Sequence, residues 1–153
     1  MNQQLYGQAL RLLARRAHGT EELRGKLARR ASDEEVSEVL ARLESNRLLH
    51  DGDFAYLRAE SRRRRMWGNR RIERDLKRLG LDATIVRLTL DRLDREYPEA
   101  EALGRAVRCW IRRHGAPANA SQLKRLFDHC LRLGYRAEAV REELSDYFGT
   151  VAW

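Results

Sequence analysis

The sequence contains very few residues that break helices or favour strands. Only two of its 153 residues are proline, and its ten glycines are scattered singly along the chain. It also lacks the alternating runs of β-branched and aromatic residues, bounded by turn residues, that are typical of strands. Because helix is the favoured local structure when breakers are this rare, we predict an all-α fold.

Several kinds of functional site are also missing. Cys109 and Cys130 form no metal or redox motif, and we interpret them as buried free thiols in a reducing cytosol rather than a disulfide. The four histidines share no metal-ligand spacing with carboxylates, and no glycine-rich loop could cradle a nucleotide phosphate. The chain has no signal-peptide pattern and no apolar run approaching the roughly 20 residues of a membrane span. We therefore predict a cytoplasmic protein that is not an enzyme and has no metal, cofactor or membrane contact.

Positive charge is abundant, and it is concentrated in one segment. Basic residues outnumber acidic residues by 31 to 23, which gives a formal charge of +8 and favours polyanionic partners. Residues 58–78 hold ten basic and three acidic residues, so nearly the whole surplus lies there. Four successive residues point all round a helix, so nearby acids cannot pair with all of the consecutive arginines Arg62, Arg63, Arg64 and Arg65.

The helix that begins near Asn69 is predicted to be amphipathic. At about 100° per residue, Ile72, Leu76 and Leu79 fall on one side. The opposite side carries five basic residues, which are Arg70, Arg71, Arg74, Lys77 and Arg78. Like charges on one face repel each other, so we interpret this face as a binding surface, with a merely solvated face as the alternative. Trp67 either fills a junction between helices or stacks on a base.

A three-helix pattern recurs about every 50 residues along the chain. In the second helix of each repeat, two apolar residues lie four positions apart, namely Leu23 and Leu27, Ile72 and Leu76, and Leu123 and Phe127. In the first repeat, Thr20 and either Ser32 or Asp33 are predicted N-caps. We predict three tandem three-helix, helix-turn-helix-like repeats in an elongated, curved array, with bounds 1–50, 51–97 (the basic repeat) and 98–153.

Motifs in this order resemble the RecX family. Residues 49–55 read Leu-His-Asp-Gly-Asp-Phe-Ala and resemble the family's Leu-Asp-Asp-x-x-Phe-Ala, although His50 replaces an acidic residue. An arginine-rich stretch follows, and then Gly68, Ile72 and Leu76 match Gly-x-x-x-Ile-x-x-x-Leu. Residues 20–27, together with Leu-Gly-Tyr at 133–135, are also similar to the family. The resemblance covers nearly the whole chain, and it rests on the order and spacing of the motifs.

The resemblance implies a function and its partners. RecX proteins are three-unit helical modulators that lie in the groove of the RecA–DNA filament and mainly inhibit RecA ATPase, strand exchange and coprotease activity. It implies a regulator in DNA repair and the SOS response, with the RecA filament and single- and double-stranded DNA as partners, and we expect a monomer. As structural positions, Asp51 would help begin a helix, Phe54 would pack, Gly68 would permit a turn and Ile72 would join the core.

Trp67 and nine basic residues of the segment 62–78 are the predicted contacts with DNA or with recombinase. They are Arg62, Arg63, Arg64, Arg65, Trp67, Arg70, Arg71, Arg74, Lys77 and Arg78. The alternative function is an autonomous helix-turn-helix DNA-binding protein. A recognition helix offers varied polar side chains to base edges, whereas residues 69–79 offer mainly arginines suited to phosphates. The sequence therefore favours the filament regulator.

Overall fold

A computed structural model of the protein describes residues 1–149, and within them the chain is helical. It has nine α-helices and no strand in that range, which confirms the all-α prediction. The helices are α1 (Gln3–Arg15), α2 (Thr20–Leu27), α3 (Asp33–Ser45), α4 (Asp51–Arg64), α5 (Asn69–Arg78), α6 (Ala83–Glu96), α7 (Glu99–His114), α8 (Ala120–Arg132) and α9 (Ala137–Phe148). The three repeat boundaries stay a prediction, and the last four residues of the third repeat lie outside the described range.

The chain packs as two compact units, and each draws on two segments. The first unit comprises Met1–Arg58 and Leu76–Thr89, and the second comprises Ala59–Asp75 and the chain from Leu90 onward. The helices α4, α5 and α6 therefore each contribute residues to both units. No helix among residues 1–149 is both long enough and apolar enough to span a membrane.

The core of the first unit is formed by one side of each of its first three helices. Its completely buried side chains include Ala9, Leu23, Leu27, Val36, Val39 and Leu43. The helix α3 starts with a capping box, in which Ser32 accepts a hydrogen bond from the backbone of Glu35 and the Glu35 carboxylate accepts one in return. This arrangement satisfies two backbone donors that would otherwise lack partners at the helix start, and it selects Ser32 over Asp33 as the N-cap.

The predicted N-cap at Thr20 is wrong, and the reason involves a residue distant in sequence. Gly19 occupies the N-cap position of α2 and has no side chain to provide a cap. The Asp51 carboxylate instead accepts hydrogen bonds from the Thr20 backbone N–H at 2.7 Å and from the Thr20 hydroxyl at 3.0 Å. Asp51 is thus the first residue of α4 and also supplies the missing cap of α2.

The core of the second unit lies among α7, α8 and α9. It includes the buried side chains of Ala106, Trp110, Leu126, Cys130, Tyr135 and Leu144. Both cysteines are free thiols, as predicted, but only Cys130 is completely buried; Cys109 is half-buried, so its predicted burial is wrong. Burial in this apolar core raises the pKa of the Cys130 thiol to about 12, so the group stays protonated near neutral pH.

Candidate nucleic-acid interface

The four consecutive arginines at the end of α4 have different environments. Arg64 and Arg65 are exposed, Arg62 is half-buried and Arg63 is completely buried. The Arg64 guanidinium pairs with the Glu60 carboxylate at 3.1 Å, one helical turn earlier. These positions follow from the helical geometry, in which successive side chains point in directions about 100° apart.

Arg63 was predicted to contact a partner, but its side chain is completely buried and it does not belong in that set. Its guanidinium donates to the carbonyl oxygen of Tyr97 at 3.1 Å, to the Asp94 carboxylate at 3.1 Å and to the amide oxygen of Asn69. A buried cation is tolerated only when such partners replace water. With none of its side chain exposed, Arg63 ties α4 to residues 69, 94 and 97 and is not available to a partner.

Asn69 fixes the start of α5. Its backbone N–H donates to the Glu99 carboxylate at 2.9 Å, and its side-chain amide donates to Asp94 at 2.8 Å. The oxygen of the same amide accepts from Arg63, so both the donor and the acceptor end of the side chain are engaged. The first turn of the basic helix is therefore held by a network of two carboxylates and one buried arginine.

Trp67 lies beside two arginine side chains. The guanidinium carbon of Arg71 is 3.8 Å from the centre of the ring, and that of Arg62 is 5.0 Å away. Arg62 also pairs with the Asp75 carboxylate at 3.4 Å. The half-buried indole belongs to neither apolar core, and it positions Arg71 through a cation–π contact.

Two glycines bring the start of α5 against the turn that follows α8. The Gly68 N–H donates to the Leu133 carbonyl at 2.7 Å, and the Arg70 N–H donates to the Gly134 carbonyl at 3.1 Å. A Cβ on Gly68 would lie 2.5 Å from the backbone of Gly134, a distance that real side chains do not reach. Gly68 is therefore required by this close approach, rather than only by the predicted turn.

The helix α5 has the predicted apolar and basic sides. Ile72 and Leu76 are completely buried, whereas Arg70 and Arg74 are exposed and Arg71 is half-buried. Lys77 and Arg78 are also exposed, and they belong to the part of the helix that lies in the first unit. Phe54, in the same unit, is buried with its ring against the backbone of Gly19.

Several of these arginines have no acidic partner. Across residues 1–149, no carboxylate forms an ion pair with Arg65, Arg70, Arg71 or Arg74. We call these four residues the basic surface. All of them lie in the second unit, where their side chains are only partly buried or fully exposed. Uncompensated arginines can donate forked hydrogen bonds to a phosphate or a carboxylate supplied by a partner.

A cleft between α5 and α8 adds residues that the sequence did not single out as contacts. It is lined by Arg71, Arg74, His129, Leu131, Arg132 and Leu133, and we call it the α5–α8 cleft. Arg132 is exposed and His129 is half-buried. Partial burial lowers the pKa of His129, and the nearby charges of Arg132, His114 and Arg113 lower it further. The imidazole is therefore neutral near pH 7.

This geometry defines a small helical protein whose second unit presents an uncompensated cationic surface. Family models match residues 6–43, as the first three-helix domain of RecX, and residues 51–90, as the second three-helix domain of RecX. The chain belongs to the RecX family.

Related proteins cover much of the chain. A protein of Halorhodospira halophila named regulatory protein RecX is 38% identical over 136 residues, which is 87% of this chain and 81% of that protein. The protein of the same name from Deinococcus radiodurans is 38% identical over 107 residues, or 69% of this chain, and the match spans only 51% of that longer relative.

Two solved structures share the fold at low sequence identity. A crystal structure of regulatory protein RecX superposes with a TM-score of 0.79 and 18% identity, covering 94% of this chain and 70% of that one. RecX from Lactobacillus salivarius superposes with a TM-score of 0.77 and 19% identity, covering 94% of each chain. The helical architecture is thus shared although fewer than one residue in five is identical.

Proposed function

We propose that this protein binds in the groove of the RecA–DNA filament and modulates RecA, mainly by inhibiting its ATPase, strand-exchange and coprotease activities. The proposal places it in the cytoplasm as a non-enzymatic monomer that acts in DNA repair and the SOS response. It is supported by membership of the RecX family and by relatives named regulatory proteins.

The observation that carries the proposal is the uncompensated charge on α5. Arg70 and Arg74 are exposed on the side of the helix opposite the buried Ile72, and they have no carboxylate partner among the described residues. The network around Asn69 fixes the helix that presents them. A polyanionic filament would gain affinity from such preplaced cations because binding releases its condensed counterions.

The test is the single-stranded-DNA-dependent ATPase of the cognate recombinase, titrated with this protein. Inhibition well below one regulator per recombinase would indicate capping or disassembly of filaments. Inhibition only near saturation would indicate occupancy of the groove. No change in ATPase or strand exchange at stoichiometric amounts would overturn the proposal.

The alternative, an autonomous DNA-binding regulator, makes a different prediction. It would enrich a defined duplex sequence from a random pool, because base-edge contacts discriminate between sequences whereas phosphate contacts do not. We expect no such enrichment, since the exposed side of α5 offers arginines to phosphates. A reproducible consensus sequence in the absence of recombinase would favour the alternative.

A further inference from the structure

We infer that the α5–α8 cleft of the second unit binds a backbone phosphate of a nucleic-acid strand, with Arg71, Arg74 and Arg132 as its permanent charges. His129 adds a fourth charge when it is protonated, so the site binds its phosphate more tightly as the pH falls. The inference rests on the DNA-binding part of the proposed function and extends it to α8, in the third predicted repeat.

The composition of the cleft selects an anion. Three arginines and one histidine line it together with two leucines, and none of its lining residues is acidic. Within the described chain, no carboxylate forms an ion pair with Arg71, Arg74 or Arg132. Guanidinium groups bind phosphate oxygens through paired, charge-assisted hydrogen bonds. Several arginines that line one cleft therefore suit a phosphodiester, whose two unesterified oxygens both accept hydrogen bonds.

The neighbourhood of the cleft favours a nucleic-acid strand as the source of the phosphate. Arg71 stands over the Trp67 ring at 3.8 Å, so an aromatic side chain adjoins the cationic wall. Basic grooves interleaved with aromatic side chains are typical of proteins that bind single strands. Arg70 adjoins the cleft, since it precedes Arg71 and donates its backbone N–H to Gly134, the neighbour of Leu133. A second phosphate of the same strand could therefore meet Arg70.

The walls of the cleft are held in place by backbone contacts. The Gly68 N–H donates to Leu133 and the Arg70 N–H donates to Gly134, so the start of α5 and the end of α8 are joined directly. The separation of the two cationic walls is therefore fixed before a ligand arrives. A preformed site loses less entropy on binding than one that must be assembled.

The groups that face His129 account for the pH dependence. On its own helix it is near Arg132, from α7 it is near Arg113 and His114, and across the cleft lie Arg71 and Arg74. All of these groups are basic. Partial burial lowers the pKa of the imidazole most, and the charges of Arg132, His114 and Arg113 lower it further. A bound phosphate opposes them and raises that pKa again. Protonation of His129 and binding of the phosphate therefore strengthen each other.

The first test measures binding of a fluorescein-labelled oligothymidylate by the full chain, without recombinase, over a range of salt concentrations. We expect Arg132→Gln to weaken binding and to make the slope of log affinity against log salt shallower by about 0.7, the value for one phosphate on a single strand. Arg105→Gln removes the same charge from an exposed position on α7 outside this cleft, and it should leave the slope unchanged. Equal slopes for Arg132→Gln and the wild-type protein would overturn the inference.

The second test follows the same binding from about pH 8 to about pH 5.5, across the range in which histidines titrate. The wild-type protein and a His50→Gln control should tighten as the pH falls, and His129→Gln should lose most of that gain. An identical pH profile for His129→Gln and the wild-type protein would overturn the role of His129.

A third measurement identifies the source of the phosphate. NMR titration of the His129 ring should show its pKa rising when the oligothymidylate is added, with little change for inorganic phosphate at the same phosphate concentration. A response to inorganic phosphate alone would show a free-anion site and overturn the assignment to a strand.

The inference and the proposed function can fail separately. If the oligothymidylate tests give the expected results but recombinase ATPase is unaffected, the phosphate site is supported and the filament function is overturned. If ATPase is inhibited but Arg132→Gln leaves the salt dependence of binding unchanged and His129→Gln leaves its pH dependence unchanged, the filament function is supported and the phosphate site is overturned.

Discussion

The hydroxyl of Tyr135 donates a 2.6 Å hydrogen bond to the carbonyl oxygen of Met66, across 69 positions of sequence. Met66 has a positive φ of 64°, which is rare for a residue with a side chain, and it lies in the turn between α4 and α5. The hydrogen bond therefore stabilises an otherwise unfavourable turn that positions the basic helix. Burial raises the pKa of the Tyr135 phenol, so it stays a proton donor at any physiological pH.

Removing that hydroxyl should destabilise the fold. We expect Tyr135→Phe to lower the free energy of unfolding by about 1–2 kcal/mol, because the Met66 carbonyl loses its donor while the packing of the ring is kept. Urea denaturation followed by circular dichroism measures the change. Tyr147→Phe, at an exposed position, is the matched control. An effect of Tyr135→Phe no larger than that of the control would contradict this account of the turn.

The close approach of Gly68 and Gly134 makes a separable prediction. Gly68→Ala introduces a Cβ 2.5 Å from the Gly134 backbone and should cost about 2 kcal/mol or more in stability. Gly25→Ala is the comparison, because Gly25 lies inside α2 with open space around its Cβ position. That variant should leave stability unchanged or raise it by up to about 1 kcal/mol, since alanine favours a helix interior over glycine. A Gly68→Ala variant that unfolds at the same temperature as Gly25→Ala would show that the close approach is easily relieved.

Arg63 and Arg64 are adjacent in sequence, and we expect their roles to be opposite. Arg63→Ala leaves Asp94, Asn69 and the Tyr97 carbonyl without their buried donor, and it should cost about 2–4 kcal/mol of stability. Arg64→Ala removes an exposed side chain and should change stability much less. Chemical denaturation of both variants checks this order, and a more harmful Arg64→Ala would refute it.

Charge reversal on α5 should weaken DNA binding without unfolding the protein. Five phosphate contacts on duplex DNA would give a slope of log affinity against log salt of about −4 to −5, and Arg70→Glu with Arg74→Glu should reduce it to about −3. Arg71 is left in place because its guanidinium packs on Trp67. Inhibition of recombinase ATPase should fall in parallel with DNA affinity.

The control for that double variant reverses the same number of charges in the first unit. Arg29→Glu with Arg30→Glu changes two exposed arginines outside the basic surface. It should preserve most of the DNA affinity and the inhibition. A loss of helical signal in the α5 variant would show that the apolar side of α5 was misplaced.

His18 should make the stability depend on pH. Burial lowers the pKa of this imidazole below its ordinary value, and the Lys26 amine, 2.9 Å from Nε2, lowers it further, although the Arg16 carbonyl bonded to Nδ1 acts in the opposite direction. Below about pH 6.5 the unfolded chain takes up the proton more readily than the folded chain, so stability falls as the pH falls. We expect His18→Gln to weaken this dependence and the exposed His50→Gln to preserve it. Unfolding midpoints between about pH 7.5 and about pH 5.5 test it.

Local patterns in the sequence were sufficient for the helices and for the two sides of α5. Ile72 and Leu76 repeat at helical spacing, and this periodicity alone separates buried from exposed positions. The capping box at Ser32 is equally local. The burial of Arg63 was not predictable in this way, because its partners at 94 and 97 lie 31 and 34 positions further along the chain.

The α5–α8 cleft escaped prediction for a related reason. Arg71 and His129 are far apart in sequence, and no motif links them. One usable signal was present, since Leu133-Gly134-Tyr135 was recognised as a family turn. A turn with glycine at a positive φ of 99° often marks a place where another backbone approaches, and here it receives the start of α5.

The division of α4, α5 and α6 between two packing units limits which deletions the protein can tolerate. Each unit is assembled from two separate stretches of chain, at 1–58 with 76–89 and at 59–75 with the residues from 90 onward. No single deletion can therefore excise one unit and leave the other intact. Loss of a terminal segment would leave one unit together with a fragment of the other. We therefore expect the two units to be retained or lost together in evolution.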